Sequence, residues 1–360
     1  MKILLAGGGS GGPVSPVLAV ALEIKKLSPH TKFLFVGTKN GPERQMVALL
    51  GIEFKAISTA KLRRYFSLAN VIIPISLTLG FLQALRIVRQ FKPDVVFSAG
   101  GYVAVPIAWA ARIFGARIII HQQDARIGLA NKIIAPFAHT ITTAFEQTSK
   151  EFYSGSGLFN SKWHAPIWVG NPVRADLFHP VVDPKKYFNL HEELPILLIL
   201  GGATGSLQIN QMIEQILPEL VTAHQVVHQT GAGKDTISFK HRNYHPYELI
   251  PFNEYAAILE KAHLVIARAG LSTIAELSAL EKPAIIIPMP HTHQEENAKI
   301  LFDSHAAVVL SGSDVTAGNL AVIIRSLKFN QKRVDMLMKN IGQLIPKNAA
   351  AAIAKIIIKE

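Results

Sequence analysis

The stretch GGGSGGPVSP, residues 7–16, follows the apolar run KILLA at residues 2–6 and leads into a helix-like segment. Five of its first six residues are glycine, so the loop between the two elements carries almost no side chains. Glycine lets a chain turn tightly and lie close to a ligand. A helix beginning at Pro16, a residue suited to the first helical position, would direct N–H groups and its dipole toward an anion. The stretch predicts a strand, a loop and a helix with an anion site at the loop.

Short apolar runs alternate with helix-length amphipathic segments along the rest of the chain. The first half contains KILLA, KFLFVG, DVVFSAG and RIIIHQ, and a second cycle begins near Pro195 with ILLILGG, HQVVHQTG, LVIARAG and AIIIPMP. These runs are rich in β-branched residues and apolar on both faces, which is typical of buried parallel strands. The pattern predicts a doubly wound α/β protein with two similar halves.

A linker is predicted in GNPVRADLFHP, where two prolines and an asparagine interrupt the pattern. A chain of 360 residues fits two domains. We therefore predict an N-terminal Rossmann-like domain over residues 1–170 and a C-terminal one over 171–344, with a helix at about 345–360 packing back on the first. Ligands of such folds bind at the carboxyl ends of the strands, and two facing halves form a cleft.

The composition restricts the partners of the protein. With 37 Lys and Arg against 25 Asp and Glu, the net charge of +12 favours an anionic partner. No long basic tract or RNA-binding aromatic signature occurs, so we predict no nucleic-acid partner.

The chain has no cysteine, which excludes disulfides, thiolate metal sites and a thiol nucleophile. The apolar run at residues 3–6 is too short for an export signal, which favours the cytosol.

Gly7, Gly9 and Gly12 match G-x-G-x-x-G, the fingerprint of dinucleotide-binding folds. Such folds also need an acidic residue at the end of the second strand to bind the ribose, and KFLFVGTKNG has none. An NAD-dependent oxidoreductase is therefore an alternative that the sequence does not favour. A tight turn without a ligand is a further alternative, against which the entropic cost of five glycines counts.

A second cluster lies in LVIARAGLSTIAELSAL. Ala269 and Gly270 are predicted to end a strand, Ser272 or Thr273 to cap a helix, and Glu276 to lie one turn inside it. A diphosphate could bind at this helix start while Glu276 accepts hydrogen bonds from a ribose diol. In a purely structural alternative, Ser272 caps the helix and Glu276 completes a capping box with Thr273.

Two neighbouring segments strengthen the prediction of a binding site. GGATGS forms another glycine loop after a strand, and PMPHTHQEENA places His293, Gln294 and Asn297 just beyond a further strand. Several polar loops then converge on one rim, as a ligand site requires.

The order of these motifs resembles the MurG family of glycosyltransferases. The matching pieces are GGGSGG, FSAGGYVAVP, HQQDARIGLANK, GNPVR, GGATGS, HQTG, RAGLSTIAEL and PHTHQEENA, and they extend from Lys2 to about Leu310. Members transfer N-acetylglucosamine from UDP-N-acetylglucosamine to the lipid-linked muramyl-pentapeptide precursor of peptidoglycan. The resemblance implies a GT-B fold, two Rossmann-like domains facing across a cleft, and direct displacement of UDP with inversion at the anomeric centre.

The resemblance also implies which residues bind the substrates. Glu276 would contact the ribose, and Arg174 would meet the diphosphate as a permanent cation. The implied donor site consists of Arg174, Ala203, Thr204, Gly205, Phe252, Asn253, Ala269, Gly270, Ser272, Thr273, Glu276, His293, Gln294 and Asn297. The implied site for the diphosphate of the acceptor, undecaprenyl-diphospho-muramoylpentapeptide, consists of Ser10, Gly11, Gly12 and Asn131.

Two departures from the family pattern bear on the chemistry. The family usually has GGTGGH where this chain has GGSGGP, so Pro13 replaces a histidine, and HEQN is replaced by HQQD. A general base must activate the acceptor hydroxyl, which leaves His121 and Asp124 as local candidates, and either could instead be structural. Another UDP-sugar GT-B enzyme, a UDP-N-acetylglucosamine 2-epimerase or a catalytically weakened binding relative therefore remain as alternatives.

The chain contains no Asp-x-Asp sequence, the motif with which many sugar transferases hold a divalent cation. We predict a reaction without a metal or other cofactor, in which helix ends and Arg174 stabilise the charge of the leaving group.

Residues 65–85 contain no charged side chain and are nearly long enough to cross a bilayer. Pro74 and Gly80 within them, and their place inside the α/β pattern, disfavour a spanning helix. With Lys61, Arg63, Arg64, Arg86 and Arg89 on its flanks, the segment can instead lie on an anionic lipid surface, or pack as an ordinary helix. We predict peripheral attachment to the cytoplasmic face of the cell membrane.

Overall fold

The computed structural model describes residues 1–8, 12–41, 43–59, 73–154, 165–191, 194–202, 204–235 and 237–359. The chain forms two compact units. Met1–Arg174 together with Pro346–Glu360 makes the first unit, and Ala175–Ile345 makes the second.

The first unit is built on a parallel β-sheet. Its strands are β1 (Lys2–Ala6), β2 (Lys32–Gly37), β3 (Glu53–Ala56), β4 (Val95–Ser98), β5 (Arg117–Gln122), β6 (Thr140–Thr143) and β7 (Ile167–Trp168), and the helices between them are α1 (Val14–Leu27), α2 (Glu43–Ala48), α3 (Ile73–Phe91), α4 (Ala104–Ile113), α5 (Leu129–Ile134) and α6 (Glu146–Ser154). Within the described part of the chain the strand order is β3-β2-β1-β4-β5-β6-β7. The four strands predicted for this half coincide with β1, β2, β4 and β5.

The second unit repeats the arrangement. Its strands are β8 (Ile196–Leu200), β9 (Gln225–Gln229), β10 (Tyr244–Tyr247), β11 (Leu264–Ala267), β12 (Ala284–Ile286) and β13 (Val308–Val309), and its helices are α7 (Pro184–Tyr187), α8 (Leu207–Ala223), α9 (Phe252–Lys261), α10 (Leu271–Ala279), α11 (Gln294–Asp303), α12 (Ala317–Phe329) and α13 (Gln331–Leu344). The described strands are parallel, in the order β10-β9-β8-β11-β12-β13. The predicted doubly wound α/β fold is confirmed in both units.

Each sheet reverses its winding at one point, between β1 and β4 in the first unit and between β8 and β11 in the second. At such a point the two flanking loops leave the carboxyl edge in opposite directions and open a crevice for ligands. Gly7 and Gly8, with which the first glycine-rich motif begins, follow β1, and Gly201 and Gly202 of GGATGS follow β8. The fold therefore places both sequence motifs at the switch points.

The predicted start of the first helix is wrong by two residues. Helix α1 begins at Val14, with Pro13 as its N-cap residue and Pro16 as its third helical residue. Proline is tolerated there because the first N–H groups of a helix have no intrahelical acceptor.

The C-terminal helix α14 (Ala349–Lys359) belongs to the core of the first unit. Ile353 and Ile357 are fully buried in the same cluster as Leu5 and Ile24, and α14 packs against α1. Among the described residues, 331–359 is the one helical stretch long and apolar enough to cross a membrane, with a mean hydropathy of 1.3. It consists of two helices, because α13 ends at Leu344 and α14 begins at Ala349.

Candidate active site

The loop after β8 packs directly on the loop after β9 in the second unit. Gly205 and Gly231 have φ angles of 71° and 93°, in the left-handed region. A Cβ atom on Gly205 would lie 2.1 Å from the carbonyl oxygen of Thr230, and one on Gly231 would lie 2.5 Å from the Cα atom of Gly205. Glycine is therefore required at both positions, and the two loops form one compact ledge. Thr204 is exposed beside it, and Ala203 lies outside the described residues.

A buried polar network forms hydrogen bonds with the backbone of these two loops. The Nε2 atom of His228 lies 3.1 Å from Oδ1 of Asn210, whose amide donates to the carbonyl oxygens of Thr230 and Lys234. The Lys234 ammonium donates to the carbonyl oxygen of Gly205 at 3.1 Å. Burial lowers the pKa of His228 to about 4, so the ring is neutral near pH 7.

Arg268 is a site residue that the sequence reasoning missed. Its guanidinium is 8% exposed and donates to the carbonyl oxygens of Ile287 and Pro288 and to the side chains of Ser206 and Gln208. These bonds join the carboxyl ends of β8, β11 and β12. All four acceptors are neutral, so a positive charge remains at the edge where an anionic ligand is predicted. The signal in the sequence was an arginine directly before the Ala-Gly that starts the next helix.

Helix α10 is not capped by a side chain. Its N-cap residue is Gly270, and Ser272 and Thr273 are its second and third residues. The predicted cap by Ser272 or Thr273 is therefore wrong, because the cap lies two or three residues earlier. A glycine cap has no side chain to accept from the N–H groups of the first turn, which suits binding of an anion there.

Glu276 is held by a tyrosine and not by a capping box. It is the sixth residue of α10, and a capping box requires the acidic residue at the third. The Tyr255 hydroxyl donates to Oε2 of Glu276 at 2.5 Å. Burial and the neighbouring Glu276 carboxylate raise the pKa of Tyr255 well above its usual value, so the phenol stays protonated. Phe252 and Asn253 lie in the first turn of the same helix, α9.

The residues predicted from PMPHTHQEENA surround the start of α11. His293 is the N-cap residue, and Oε1 of Gln294 accepts from the backbone N–H of Met289 at 3.0 Å. Asn297 is fully buried, and its amide donates to the carbonyl oxygen of Ala269 at 3.1 Å. Asn297 therefore fixes the chain just before the start of α10.

At the switch point of the first unit, part of the glycine content accommodates a buried glutamate. Glu43 is fully buried, and its Oε1 atom accepts from the backbone N–H of Thr38 at 2.7 Å. A Cβ atom on Gly8 would lie 2.5 Å from that oxygen, and one on Gly41 would lie 2.0 Å from Oε2. Sequence reasoning assigned no role to Glu43. Gly12 lies in the turn before α1, and Ser10 and Gly11 lie outside the described residues.

His121 is fully buried at the end of β5, and both ring nitrogens have polar neighbours. Nδ1 lies 3.0 Å from the hydroxyl oxygen of Thr142, and Nε2 lies 3.2 Å from Oδ1 of Asn171. Burial lowers the pKa of His121 to about 4. The ring therefore connects the sheet to the segment GNPVR, which carries Arg174.

The loop that carries Asp124 is shaped by Gln122. The Gln122 amide donates to the carbonyl oxygens of Asp124 at 2.9 Å and Arg126 at 3.0 Å, while its oxygen accepts from the Asn131 amide at 2.7 Å. A carboxylate at position 122 has no hydrogens to donate to those carbonyl oxygens. This explains why glutamine fits this loop. Asn131 is buried, and Asp124 is partly exposed.

A polar cavity of about 530 Å³ opens at the carboxyl ends of β2 and β3 in the first unit. Its lining includes Thr38, Lys39, Asn40, Ser58, Thr59, Ser76 and Tyr102. Ser76 belongs to α3 and Tyr102 follows β4, so the cavity adjoins the switch point. Within the described ranges, no group of three or more His, Asp or Glu side chains is arranged to hold a metal ion.

The buried histidines predict a pH-dependent stability. The folded pKa values of His121 and His228 lie near 4, below the 6.5 of an unfolded histidine. The two neutral rings therefore contribute fully to the free energy of unfolding above pH 6.5, and this contribution is lost as the pH falls toward 4. We expect a loss of about 2 kcal/mol per histidine at pH 5 in urea unfolding. His30 is exposed, and the control variant His30→Gln should leave the change of unfolding free energy with pH as in the wild type. Equal stability at pH 7 and pH 5 would contradict the prediction.

Comparison with known proteins agrees with this architecture. The Glycosyltransferase family 28 N-terminal domain matches residues 3–143, and the family 28 C-terminal domain matches residues 196–355. A crystal structure of MurG from Acinetobacter baumannii has a TM-score of 0.74 at 24% identity, covering 100% of this chain and 99% of that one. A UDP-GlcNAc 2-epimerase from Neisseria meningitidis has a TM-score of 0.73 at 16% identity, with full coverage of both chains. The fold and the paired domains define a glycosyltransferase of the GT-B class.

Curated relatives identify the family. The "UDP-N-acetylglucosamine--N-acetylmuramyl-(pentapeptide) pyrophosphoryl-undecaprenol N-acetylglucosamine transferase" of Listeria monocytogenes serotype 4a is 32% identical over 368 residues, 99% of both chains. The protein of the same name from Clostridium perfringens strain SM101 is 35% identical over 349 residues, 95% of this chain and 94% of that one. The chain belongs to the MurG family of N-acetylglucosamine transferases, and the predicted family resemblance is confirmed.

Proposed function

We propose that the protein transfers N-acetylglucosamine from UDP-N-acetylglucosamine to the muramyl-pentapeptide pyrophosphoryl-undecaprenol acceptor in peptidoglycan synthesis. The observation that carries this proposal is the near full-length identity of 32–35% to relatives named for that reaction. The position of the charged and polar groups at the carboxyl edge of the second unit supports it.

The donor is proposed to bind to the second unit. Its pyrophosphate lies at the start of α10, where backbone N–H groups and the helix dipole favour an anion. Arg268 adds a buried positive charge at the same edge. Glu276 accepts hydrogen bonds from the ribose. Three further segments complete the proposed pocket: the ledge around Gly205, the first turn of α9 with Phe252 and Asn253, and the start of α11 with His293 and Gln294.

Asp124 is proposed as the general base. Its carboxylate takes the proton of the acceptor hydroxyl while that oxygen forms a bond to the anomeric carbon, and the bond from this carbon to the UDP oxygen breaks. UDP leaves with the electron pair, and Arg268 and the start of α10 stabilise its charge. His121 is assigned a positioning role, because its ring is buried and both nitrogens contact neighbouring side chains.

The acceptor is proposed to bind to the first unit. The polar cavity near Tyr102 would take the sugar and peptide part, and Gly12 before α1 and Asn131 in α5 would lie near the diphosphate. Helix α3 lines this cavity through Ser76 and exposes Leu77, Leu79 and Leu82 to solvent. One helix would thus contact both the polar head of the acceptor and the membrane that holds its lipid.

Peripheral membrane attachment is proposed through the α3–α4 face, the exposed apolar and basic side chains of these two packed helices. They are Leu77, Leu79, Leu82, Trp109, Ile113 and Phe114, with Arg86, Arg89 and Arg112 beside them. The rings of Phe81 and Trp109 pack edge to face at 6.3 Å and join the two helices. Exposed apolar side chains and arginines on the same helices fit an anionic bilayer surface. Of the predicted segment 65–85, residues 65–72 lie outside the described chain.

The membrane proposal predicts the effect of two charges on this face. The double substitution Leu79→Glu with Leu82→Glu should lower binding to vesicles containing phosphatidylglycerol by about tenfold or more, because it removes apolar contact and adds repulsion. Sedimentation with vesicles measures the bound fraction. Val322→Glu, at an exposed apolar position of the second unit, is the control. Equal binding of the double variant and the control would contradict the proposal.

Ligand stabilisation tests the donor assignment. UDP-N-acetylglucosamine at about 100 times its dissociation constant should stabilise the fold by about 2.7 kcal/mol, because it binds the native state alone. NADH should give no shift, since β2 ends at Gly37 and the next four residues, TKNG, include no acidic residue to bind its ribose. A shift with NADH and none with the UDP-sugar would overturn the assignment.

A further inference from the structure

Glu276 meets a hydroxyl group from another helix. Tyr255 is the fourth residue of α9, and Glu276 is the sixth of α10. Strand β11 lies between the two helices in the sequence, so this bond ties together both helices that flank one central strand of the sheet. The oxygens are 2.5 Å apart, the separation of a charge-assisted hydrogen bond.

We propose that Tyr255 is a positioning residue for nucleotide recognition, whose phenol holds the Glu276 carboxylate in the orientation that reads the ribose hydroxyls. This inference rests on the proposed function, in which Glu276 binds the ribose of the UDP-sugar. Tyr255 itself acts through Glu276 and is not assigned a contact with the substrate.

The bond with Tyr255 restricts the orientation of the Glu276 side chain. A glutamate side chain has several rotatable bonds, and ordering it when the ligand arrives would weaken binding. The phenol orders it beforehand. A carboxylate offers about four acceptor positions, so accepting one hydrogen bond from Tyr255 still leaves it able to accept from the ribose diol.

The proton of the bond stays on the tyrosine. Burial and the adjacent Glu276 carboxylate both raise the pKa of Tyr255, so the phenol remains a donor throughout the neutral range. The carboxylate therefore keeps an acceptor-only role toward the ligand. A pair in this state selects a ligand that donates, as ribose hydroxyls do, and binds more weakly to a sugar that lacks one of them.

The test compares UDP with 2′-deoxy-UDP by calorimetry. We expect the wild-type protein to prefer UDP by about tenfold or more, since the deoxy ligand offers the carboxylate one hydrogen bond fewer. Tyr255→Phe should weaken UDP binding by about fivefold or more and change binding of 2′-deoxy-UDP by less than twofold, so the preference falls toward one. Tyr247→Phe removes a phenol from β10 of the same unit and should keep the preference.

A double-mutant cycle separates positioning from a general structural effect. Glu276→Ala removes the carboxylate that Tyr255 contacts and should lower the preference, and adding Tyr255→Phe to it should lower the preference no further. The positioning role alone would be overturned if Tyr255→Phe kept the wild-type preference, or if it lowered the affinity for both ligands equally. Failure of the wild-type protein to bind UDP would overturn the proposed function together with it.

Discussion

Asp124→Asn is expected to lower kcat by about 10²–10⁴-fold and to leave the dissociation constant of UDP-N-acetylglucosamine within about twofold. Asparagine has the same shape but cannot take the proton of the acceptor hydroxyl. The loop should stay in place, because the Gln122 amide donates to the backbone carbonyl of residue 124, which the substitution does not change. Initial rates of transfer and calorimetry of donor binding measure the two quantities.

The control for this prediction is Asp303→Asn. Asp303 forms an exposed ion pair with Lys299 on α11, and removing it should change neither kcat nor the dissociation constant. Wild-type turnover in Asp124→Asn would remove this carboxylate as the base. His121→Gln should disturb the segment GNPVR through Asn171, so any loss of activity should come with a lower unfolding midpoint.

Glu276→Gln is expected to weaken UDP binding by about 10–100-fold, the effect of losing a hydrogen bond to a charged acceptor. Its unfolding midpoint should remain close to the wild-type value, because the glutamine oxygen can still accept from Tyr255. Glu276→Ala is the less specific variant. It leaves the buried Tyr255 hydroxyl without its partner, which should cost about 1–3 kcal/mol of stability as well.

Glu219→Gln provides the matched control for the glutamate prediction. Glu219 is half exposed and pairs with Arg325 on the surface of the second unit, so its substitution should leave UDP affinity unchanged. If Glu276→Gln bound UDP as tightly as this control, Glu276 would have a structural role and no contact with the nucleotide.

The strands could be predicted from the sequence because buried parallel strands have a distinct composition. KFLFVG at residues 32–37 is apolar on both faces, and it forms β2 with the same bounds. Ends of helices were harder to place. The start of α1 near two prolines and of α10 near Gly270, Ser272 and Thr273 each allow several caps, and tertiary packing decides among them.

Roles that depend on packing between distant segments could not be read from the sequence. Glu43 and Arg268 are charged residues that local patterns place on the surface, and both are buried, Glu43 in part against Gly8 and Arg268 by the loops after β8 and β12. His121 stood in the sequence as a candidate base at a strand end. Its contacts with Thr142 and Asn171 come from β6 and from the segment after β7.

Transfer of labelled N-acetylglucosamine to the lipid acceptor tests the proposed reaction. The protein is incubated with the radiolabelled UDP-sugar and with muramyl-pentapeptide pyrophosphoryl-undecaprenol, and the organic phase is counted. Label should enter the organic phase with the wild-type protein and at the background rate with Asp124→Asn. Conversion of the donor to an epimer, or donor binding without any label in the lipid, would contradict the account.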